Sequence, residues 1–341
     1  MTDSITQQNL LAATLNILEK KYGKGIVMRL GEQPICKAPV ISTGSFGLDR
    51  ALGVGGFPCG RITEIYGPES SGKTTLTLHA IAEVQRKGGA ALFIDTEHAF
   101  DKAYATALGV DTENLMICQP DYGEQALEVA NHYIRSNAIG VVVIDSVSAL
   151  LPEAELKGEM GAHHLGGQAR LMSQAMRKLA SAIHKSGVIS LFINQLRHKI
   201  GVTFGSPETT SGGNALKFYA SIRLDIRKIS LLKTGSQVVG HRVRIKVVKN
   251  KLSAPFQEVT FDLRYGVGIC QVSEIIDHCL SLGLIEQAGS WFSYQEKPLG
   301  QGKEAMRDRL IQRPKLQSEL LEKVILRRKT AYQQKNKDQS R

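Results

Sequence analysis

Short apolar runs alternate with amphipathic segments through the middle of the chain. Four runs have the length of β-strands, and two of them, Ala91–Ile94 and Val141–Ile144, are continuously apolar, as expected of strands that helices cover on both faces. The predicted strands are Arg61–Tyr66, Ala90–Asp95, Gly140–Ile144 and Val188–Ile193, and the predicted helices are Thr74–Arg86, Gln125–Arg135 and Gln168–His184. This alternation predicts an α/β fold with a mostly parallel central sheet.

The two ends of the chain have a different pattern. Gln7–Tyr22 has apolar residues at helical spacing, and the glycines and proline that follow predict a linker after a small N-terminal helix–strand element. Three later strands come without long helices between them, which predicts an antiparallel extension of the sheet; they are Ser221–Lys228, Val238–Val248 and Gln257–Leu263. After about Cys270 the pattern is that of a small α+β domain, and we expect Trp291 and Tyr294 in its core.

These changes of pattern divide the chain into residues 1–33, 34–270, 271–331 and 332–341. The last part is too polar to pack against a core, and we expect it to be disordered.

The composition is that of a globular protein that works in a reducing compartment. The 341 residues are 42% hydrophobic and 22% charged, and no apolar stretch reaches the length of about 18 residues that a membrane span needs. The N-terminus lacks the basic and apolar regions of a signal peptide. The five cysteines form no C-x-x-C pair, which argues against a disulfide framework and a structural zinc site. We therefore expect a cytoplasmic protein that makes no membrane contact.

Basic residues are concentrated in two runs without acids. Lys and Arg total 43 against 32 Asp and Glu, a net charge of +11. No acid lies between Glu159 and Glu208, a stretch with six basic residues, and the stretch from Arg227 to Lys251 has eight basic residues and no acid. Two solvated basic faces would give this pattern, and so would a surface that binds a nucleic acid.

One loop has the sequence of a phosphate-binding site. Gly67–Thr74 matches G-x-x-x-x-G-K-[ST] between a predicted strand and a predicted helix, where backbone N–H groups and the helix N-terminus can surround phosphates. In such a loop Lys73 bridges the β- and γ-phosphates, and Thr74 offers its hydroxyl oxygen to Mg²⁺. The alternative is a glycine-rich turn that only caps a helix. The predicted nucleotide-binding residues here are Gly67, Pro68, Glu69, Ser70, Ser71, Gly72, Lys73, Thr74 and Thr75.

Two strands end in carboxylates suited to a nucleotide site. Asp145 follows an apolar strand, at the sheet edge where such folds bind ligands, and is predicted to hold Mg²⁺ together with Thr74. Asp95 and Glu97 end another strand at the same edge. Glu97 is the better candidate for activating the attacking water, because Asp95 lies nearer the packed body of the strand. A helix cap or a surface charge is the alternative for either residue.

Six motifs in order resemble the RecA family of bacterial recombinases. They are Gly67–Thr77 (GPESSGKTTLT), Asp95–Ala99 (DTEHA), Gln168–Leu179 (QARLMSQAMRKL), Phe192–Gln195 (FINQ), Pro207–Lys217 (PETTSGGNALK) and Lys246–Lys251 (KVVKNK). The resemblance covers nearly the whole chain. It implies a RecA-type P-loop ATPase core at 34–270 that also binds DNA, a polymerisation element at 1–33, and a C-terminal α+β domain.

The resemblance also implies a function. Family members are ATPases that form helical filaments on single-stranded DNA, pair it with homologous duplex DNA, exchange strands, and promote self-cleavage of a LexA-type repressor. It makes Lys73, Glu97 and Gln195 catalytic, with Gln195 sensing the γ-phosphate. It puts Asp101, Tyr104 and Tyr265 around the adenosine. Lys249 and Lys251 would reach the ATP of a neighbouring subunit.

The predicted DNA contacts lie in two loops and two strands. Lys157–Gly166 and Leu196–Thr210 match the family's DNA-binding loops, and Ile200 would wedge between bases unless it packs into the core. Arg244 and Lys246 match a secondary site for duplex DNA. The full set of predicted DNA-binding residues is Arg170, Arg177, Arg197, Lys199, Ile200, Gly212, Gly213, Arg227, Arg244 and Lys246.

The sequence departs from the family pattern at three places. Ala162 and His163 stand where Asp and Ser are more usual, and His198 stands where an apolar residue is common. His163 and His164 are adjacent and have no third ligand nearby in sequence, which disfavours a zinc site. The segment from Lys315 to Arg341 has eight basic and three acidic residues, 8 − 3 = +5, where relatives have an acidic tail. It is either a solvated end or a source of salt-sensitive duplex contacts.

Two other functions remain open from sequence alone. One is a ring-forming helicase or ATPase with the same core, which the lack of zinc-ribbon cysteines and of an appended primase-binding domain disfavours. The other is a nucleotide-switched scaffold in which ATP hydrolysis only times assembly, and this is compatible with recombination.

Overall fold

The computed structural model describes residues 2–29, 39–159, 166–198 and 207–339. The chain forms two compact units, residues 1–38 and 39–341. The first unit contains helix α1, Thr2–Tyr22, which begins at Thr2 rather than at the predicted Gln7 and has Lys20 and Lys21 in its last turn. Basic residues at that end complement the negative pole of the helix dipole. Gly23 follows in the left-handed conformation (φ +96°), which a glycine adopts without steric cost.

The second unit is built on a central sheet that is parallel on one side and antiparallel on the other. Its strands are β3 (Ile62–Gly67), β4 (Ala91–Asp95), β5 (Met116–Cys118), β6 (Val141–Asp145), β7 (Ile189–His198), β8 (Glu208–Thr210), β9 (Ile222–Thr234), β10 (Gln237–Asn250), β11 (Glu258–Arg264) and β12 (Gly268–Ile269). The order is β12-β11-β10-β9-β3-β7-β6-β4-β5, with β8 paired to β7. A small antiparallel pair, β1 (Val40–Ile41) and β2 (Phe57–Pro58), precedes the sheet.

The parallel strands end at one edge of the sheet. Within the ladders, Gly67 of β3 lies opposite Gln195 of β7, and Asp95 of β4 lies opposite Asp145 of β6. Strands β9, β3, β7, β6, β4 and β5 are all parallel to their neighbours in this part. Open α/β sheets bind ligands at this carboxyl edge, so the fold brings the predicted site residues together.

Helices cover both faces of the parallel strands. They are α2 (Phe46–Ala51), α3 (Lys73–Arg86), α4 (Lys102–Ala107), α5 (Gly123–Ser136), α6 (Glu153–Leu156), α7 (Gly167–Ser186) and α8 (Ala215–Tyr219). In β6, Val141 and Val143 belong to the core cluster that contains α3, whereas Val142 and Ile144 belong to the cluster of α5 and α7. Alternate residues of a strand point to opposite faces, which explains why this strand is apolar at every position.

The antiparallel extension brings two distant strands beside the loop that joins β3 to α3. Strands β9 and β10 form a long hairpin with register shifts, and β11 pairs with β10. A Cβ atom on Gly67 would lie 2.1 Å from the carbonyl oxygen of Ile226, and a Cβ on Gly72 would lie 2.2 Å from Leu263 Cδ1. Both contacts are far below van der Waals distance, so glycine at these two positions allows β9 and β11 to pack directly against the loop.

The C-terminal part has a core of its own. It contains α9 (Gln271–Ser281), the sheet β13 (Glu286–Ala288), β14 (Trp291–Tyr294) and β15 (Lys297–Gln301), and the helices α10 (Gly302–Ile311) and α11 (Pro314–Gln339). Phe292 and Tyr294 are buried in this core, whereas Trp291 is 54% exposed. The expectation that Trp291 is buried was therefore wrong. Residues 291 and 294 are an odd number of positions apart, and the period of two puts them on opposite faces of β14.

The last helix is longer than the sequence suggested. Helix α11 continues to Gln339, whereas residues 332–341 were expected to be disordered. Gln and Lys are good helix formers, so a polar composition does not by itself exclude a helix. None of the helices in the described part of the chain combines the length and the apolar character needed to cross a membrane.

A buried carboxyl group joins α9 to the start of α2. Glu274 is 3% exposed, and its Oε1 accepts hydrogen bonds from Ser45 Oγ (2.6 Å) and the Gly47 N–H (3.2 Å). Ser45 is the N-cap of α2, and its hydroxyl also accepts from the Leu48 N–H. Burial raises the pKa of Glu274 to about 7, although the bonds from Ser45 and Gly47 act in the opposite direction. The group favours its protonated form in the folded protein.

This assignment predicts a pH-dependent stability difference for Glu274→Gln. The folded pKa of about 7 lies above the ordinary value of 4.5, so the contribution of Glu274 to stability is complete below pH 4.5 and is lost as the pH rises through 7. Glutamine does not titrate. The variant should therefore gain stability relative to the parent between pH 5 and pH 8, by at most about 3 kcal/mol, in denaturant unfolding. The exposed Glu286→Gln is the control, and a difference that does not change with pH would contradict the assignment.

Candidate functional site

The loop between β3 and α3 has the backbone of an anion-binding site. Gly72, the N-cap of α3, is left-handed (φ +95°), and Ser70 also has a positive φ of 54°. Such turns direct successive N–H groups toward one point, beside the positive end of the helix dipole. The backbone of the predicted phosphate loop therefore has a conformation suited to binding an anion.

The side chain of Lys73 is hydrogen-bonded to the first residues of this loop. Its Nζ donates to the carbonyl oxygens of Gly67 (3.1 Å) and Pro68 (2.8 Å). Burial lowers the pKa of Lys73, while the negative charges of Asp145, Glu97 and Glu69 act to raise it. The ammonium group is thus bound to weak acceptors in a partly buried place, where a phosphate would be a stronger partner.

Thr74 and Asp145 form the predicted metal pair. Thr74 Oγ1 donates to Asp145 Oδ2 at 2.6 Å. Asp145 is 9% exposed, and burial raises its pKa to about 6; the bond from Thr74 lowers it, and the nearby charge of Glu97 raises it further. Hydroxyl and carboxylate oxygens are the donors that Mg²⁺ prefers, and a cation would stabilise the ionised form of this buried group. The pair therefore fits a magnesium ion.

Asp95 and Glu97 have different surroundings. Asp95 is buried and accepts hydrogen bonds from the N–H groups of Ala99 (3.2 Å) and Phe100 (3.1 Å), so it holds the turn after β4. Glu97 is exposed at the sheet edge. Its Oε1 accepts from Ser146 Oγ at 2.6 Å and from Gln195 Nε2 at 3.0 Å. Glu97 and Gln195, predicted from separate motifs, are thus in direct contact.

A cavity of about 380 Å³ extends from the phosphate loop toward β10 and β11. Tyr104 lines it and shares a hydrogen bond with Thr75 (OH to Oγ1, 2.9 Å), and Tyr265 lines it as well. Asp101 does not line this cavity; its carboxylate accepts from the Tyr104 N–H at 2.9 Å as the N-cap of α4. The lining residues are Ser70, Ser71, Gly72, Lys73, Thr74, Thr75, Tyr104, His241, Leu263, Arg264, Tyr265 and Gly266.

Four residues of this cavity belong to none of the predicted site residues, namely His241, Leu263, Arg264 and Gly266. His241 is 8% exposed, and burial lowers its pKa, as does the charge of Lys228. It lies opposite Leu263 in the β10–β11 ladder. A single histidine inside a strand pattern is a weak signal, and only the pairing of these strands places it beside the phosphate loop.

The side chains of Lys249 and Lys251 reach the C-terminal end of α8 with their ammonium groups. Lys249 Nζ donates to the carbonyl oxygens of Lys217 (2.6 Å) and Phe218 (2.9 Å), and Lys251 Nζ donates to that of Phe218 (3.3 Å). Burial lowers the pKa of Lys249, and the charges of Lys251 and Arg223 lower it further. Neither lysine lines the cavity of its own chain, and their assignment to a neighbouring nucleotide stays a prediction.

The predicted DNA loops are only partly described. Arg170, Arg177 and Arg197 are exposed. Lys199, Ile200 and the histidine pair His163 and His164 lie outside the described residues. Within the described ranges, no group of three His, Cys, Asp or Glu side chains is arranged to hold a metal ion.

Gln168, in the first turn of α7, is hydrogen-bonded to the segments that follow β6 and β8. Its Nε2 donates to the Val147 carbonyl (2.9 Å), and its Oε1 accepts from the Gly212 N–H (3.1 Å). Gly212 and Gly213 both have positive φ (78° and 74°), and a Cβ on Gly213 would lie 2.9 Å from Ala169 Cβ. These glycines let the chain after β8 pass close to the start of α7.

The predicted duplex-binding residues have acidic neighbours. Arg227 of β9 lies opposite Arg244 of β10. Arg227 pairs with Glu208 (2.5 Å) and Asp225 (2.9 Å), and these bonds raise its pKa. Lys246 and Arg244 lie 3.3 and 3.9 Å from Glu258. Arg244 and Lys246 project from the same face of β10, as the alternation of the strand predicted.

Two family models match the chain: the RecA N-terminal domain over residues 9–270 and the RecA C-terminal domain over residues 273–329. The chain is 60% identical over 315 residues to Protein RecA of Cytophaga hutchinsonii, across 92% of this chain and 89% of that protein. It is 55% identical over 337 residues to Protein RecA of Rickettsia prowazekii, across 99% of both. The crystal structure of the RadB recombinase is similar in fold, with a TM-score of 0.53 at 22% identity, over 67% of this chain and 98% of that one.

The geometry of the loop predicts that Lys73→Ala weakens phosphate binding. The change removes a cation that a phosphate would pair with, and it also frees the carbonyls of Gly67 and Pro68. A charged hydrogen bond of this kind contributes about 1.5 to 3 kcal/mol, so affinity for nucleoside triphosphate should fall by about tenfold to a hundredfold in calorimetric titration, with loss of turnover. Lys102→Ala, which breaks the exposed pair with Glu113, is the matched control. Unchanged affinity of Lys73→Ala would contradict the prediction.

Proposed function

This chain belongs to the RecA family, whose members are DNA-dependent ATPases of recombination and repair, and we propose that it forms a helical filament on single-stranded DNA. In that filament it pairs the strand with homologous duplex DNA and exchanges strands, using ATP with Mg²⁺. The same filament activates the self-cleavage of a LexA-type repressor, and the protein acts in the cytoplasm. The support for the ATPase step is the convergence of Lys73, Thr74, Glu97, Asp145 and Gln195 at one edge of the sheet.

Each of these residues has a separate task. Lys73 and the backbone of the phosphate loop bind the phosphates. Thr74 and Asp145 would hold Mg²⁺, which supplies positive charge to the phosphate oxygens when it is bound. The carboxylate of Glu97 accepts a proton from the attacking water, and the hydroxyl of Ser146 fixes its orientation.

Gln195 supports a link between hydrolysis and DNA binding. It donates to Glu97 and lies in β7, directly before Leu196, where the predicted second DNA loop begins. A change in what Glu97 contacts therefore reaches that loop within a few residues. The exposed Arg170, Arg177 and Arg197 are suited to contact the phosphates of a single strand.

The duplex site is proposed to be separate. Arg244 and Lys246 share Glu258 as a partner, so DNA phosphates would replace one carboxylate that serves two cations. Lys249 and Lys251, together with α1 and the rest of residues 1–33, are proposed to serve the contacts between subunits of the filament.

Electron microscopy tests the assembly directly. With single-stranded DNA and a non-hydrolysable ATP analogue, we expect helical filaments that require both components. Closed rings under the same conditions would favour the ring-forming helicase or ATPase and would overturn the proposal.

We expect Glu97→Gln to separate binding from hydrolysis. The amide keeps the shape of the side chain and can still contact Ser146 and Gln195, but it cannot accept the proton. DNA-dependent ATP turnover should fall by about a hundredfold or more, while nucleotide affinity and filaments are retained. Glu113→Gln, an exposed acid paired with Lys102, is the control. Normal turnover in Glu97→Gln would remove this residue from the mechanism.

We expect the double variant Arg244→Ala, Lys246→Ala to lose duplex capture and strand exchange. Each lost phosphate contact should reduce the slope of log affinity against log salt for duplex DNA by about 0.9. Affinity for single-stranded DNA should be unchanged in fluorescence anisotropy. Arg86→Ala with Lys87→Ala, at the far end of α3, is the matched control. An equal loss of single-strand affinity would show that the two sites are not separate.

A further inference from the structure

The wall of the nucleotide cavity contains a buried arginine. Arg264 is the last residue of β11, is 6% exposed, and lines the cavity beside Tyr265. A guanidinium group stays charged, and burying an unpaired charge is costly. None of the residues that line the cavity in the described chain is acidic, so the compensating charge must come from elsewhere.

The C-terminal part of the chain supplies that charge. Glu304, in the first turn of α10, accepts through Oε1 a hydrogen bond from Arg264 Nη2. Its other carboxylate oxygen lies 3.5 Å from Arg307 Nη2, and Arg307 also pairs with Asp308 at 2.6 Å. An acidic residue in the first turn interacts favourably with the helix dipole whether or not its side chain contacts another residue. The contact with Arg264 is additional to that effect.

Arg264 begins the turn that forms the wall. Its carbonyl accepts from the Val267 N–H (3.1 Å), and the Tyr265 N–H donates to the Val239 carbonyl (3.0 Å). On the side of β10, a Cβ on Gly240 would lie 2.9 Å from Arg264 Cα, so the backbones are in close contact there. The turn is thus fixed by β10 on one side and by the Arg264–Glu304 pair on the other.

We propose that Glu304 is a positioning residue for the nucleotide site, which it serves by pairing with Arg264 and so holding the turn Leu263–Gly266 against the nucleoside. This inference depends on the proposed function, in which the cavity binds ATP. The phosphates would be bound by Lys73 and the loop before α3, through groups that are not part of the turn Leu263–Gly266. Glu304 therefore sets affinity for the nucleoside and leaves the phosphate contacts and the hydrolytic step unchanged.

Calorimetric titration of the full-length protein with ATP, ADP and tripolyphosphate tests the assignment. For Glu304→Ala and Glu304→Gln, the dissociation constants of ATP and ADP should rise by about threefold to tenfold, in the range of coupling through packed networks. Tripolyphosphate, which lacks the nucleoside, should bind as in the parent. In turnover, KM should rise while kcat is unchanged, because uniform binding is lost. Glu319→Ala, which breaks the pair with Lys323 in α11, is the control.

The same substitution in an Arg264→Met variant distinguishes a positioning role of Glu304 from a general effect on stability. In Arg264→Met the side chain needs no acidic partner, and Glu304→Ala should then change the ATP affinity by less than about twofold. If Glu304→Ala does not fold by itself, the ATP affinity is compared between Arg264→Met and the double variant Arg264→Met, Glu304→Ala. The assignment is overturned if the Glu304 variants bind ATP as tightly as the parent or more tightly. It is also overturned if tripolyphosphate affinity falls equally, or if the effect persists in Arg264→Met. A parent protein that binds neither ATP nor ADP would overturn the proposed function as well.

Discussion

The register of the four central parallel strands is the constraint on which the rest of the site depends. It places Gly67 beside Gln195 and Asp95 beside Asp145. A slip of one residue would move every side chain of a strand to the opposite face, where it would not fit the close packing against the helices, so packing on both faces specifies the register. The contacts of Thr74 with Asp145 and of Glu97 with Gln195 follow from this alignment of strand ends. The packing of apolar side chains within the sheet thus fixes the relative positions of the polar residues at its edge.

The second constraint is the close approach of distant backbone to the phosphate loop. Strand β9 continues the sheet beyond β3, and β11 reaches the loop as well, so neither Gly67 nor Gly72 has space for a Cβ. These two glycines serve two purposes: they allow the backbone of the loop to surround an anion, and they allow the antiparallel strands to form a wall of the same cavity. The C-terminal part supplies Glu304, which pairs with Arg264 of that wall. The nucleotide site is therefore built from three regions of the chain that are far apart in sequence.

The basic surface differs from what the charge pattern suggested. Residues 160–207 and 227–251 include no acidic residue. In the folded chain, however, acidic residues from other segments lie beside some of their basic side chains. Glu208, one residue past the first run, pairs with Arg227, and Glu258 lies across the ladder from Lys246. DNA phosphates would have to compete with these carboxylates. Such competition lowers the affinity for duplex DNA, because a phosphate must displace a carboxylate from each cation, and salt weakens both kinds of contact.

The sequence by itself determined the α/β class, the phosphate loop, the carboxylates at the strand ends and the antiparallel extension, because each depends on local spacing: a period of two or 3.6, or a glycine-rich loop between strand and helix. It could not show that Trp291 is exposed, because which residues of a short strand face the core depends on how that strand pairs. It did not identify His241, Arg264 or Glu304, whose neighbours lie tens to hundreds of residues away. Only the tertiary structure decided which charge is buried and which acid compensates it, because burial and pairing are properties of packed surfaces and not of sequence neighbours.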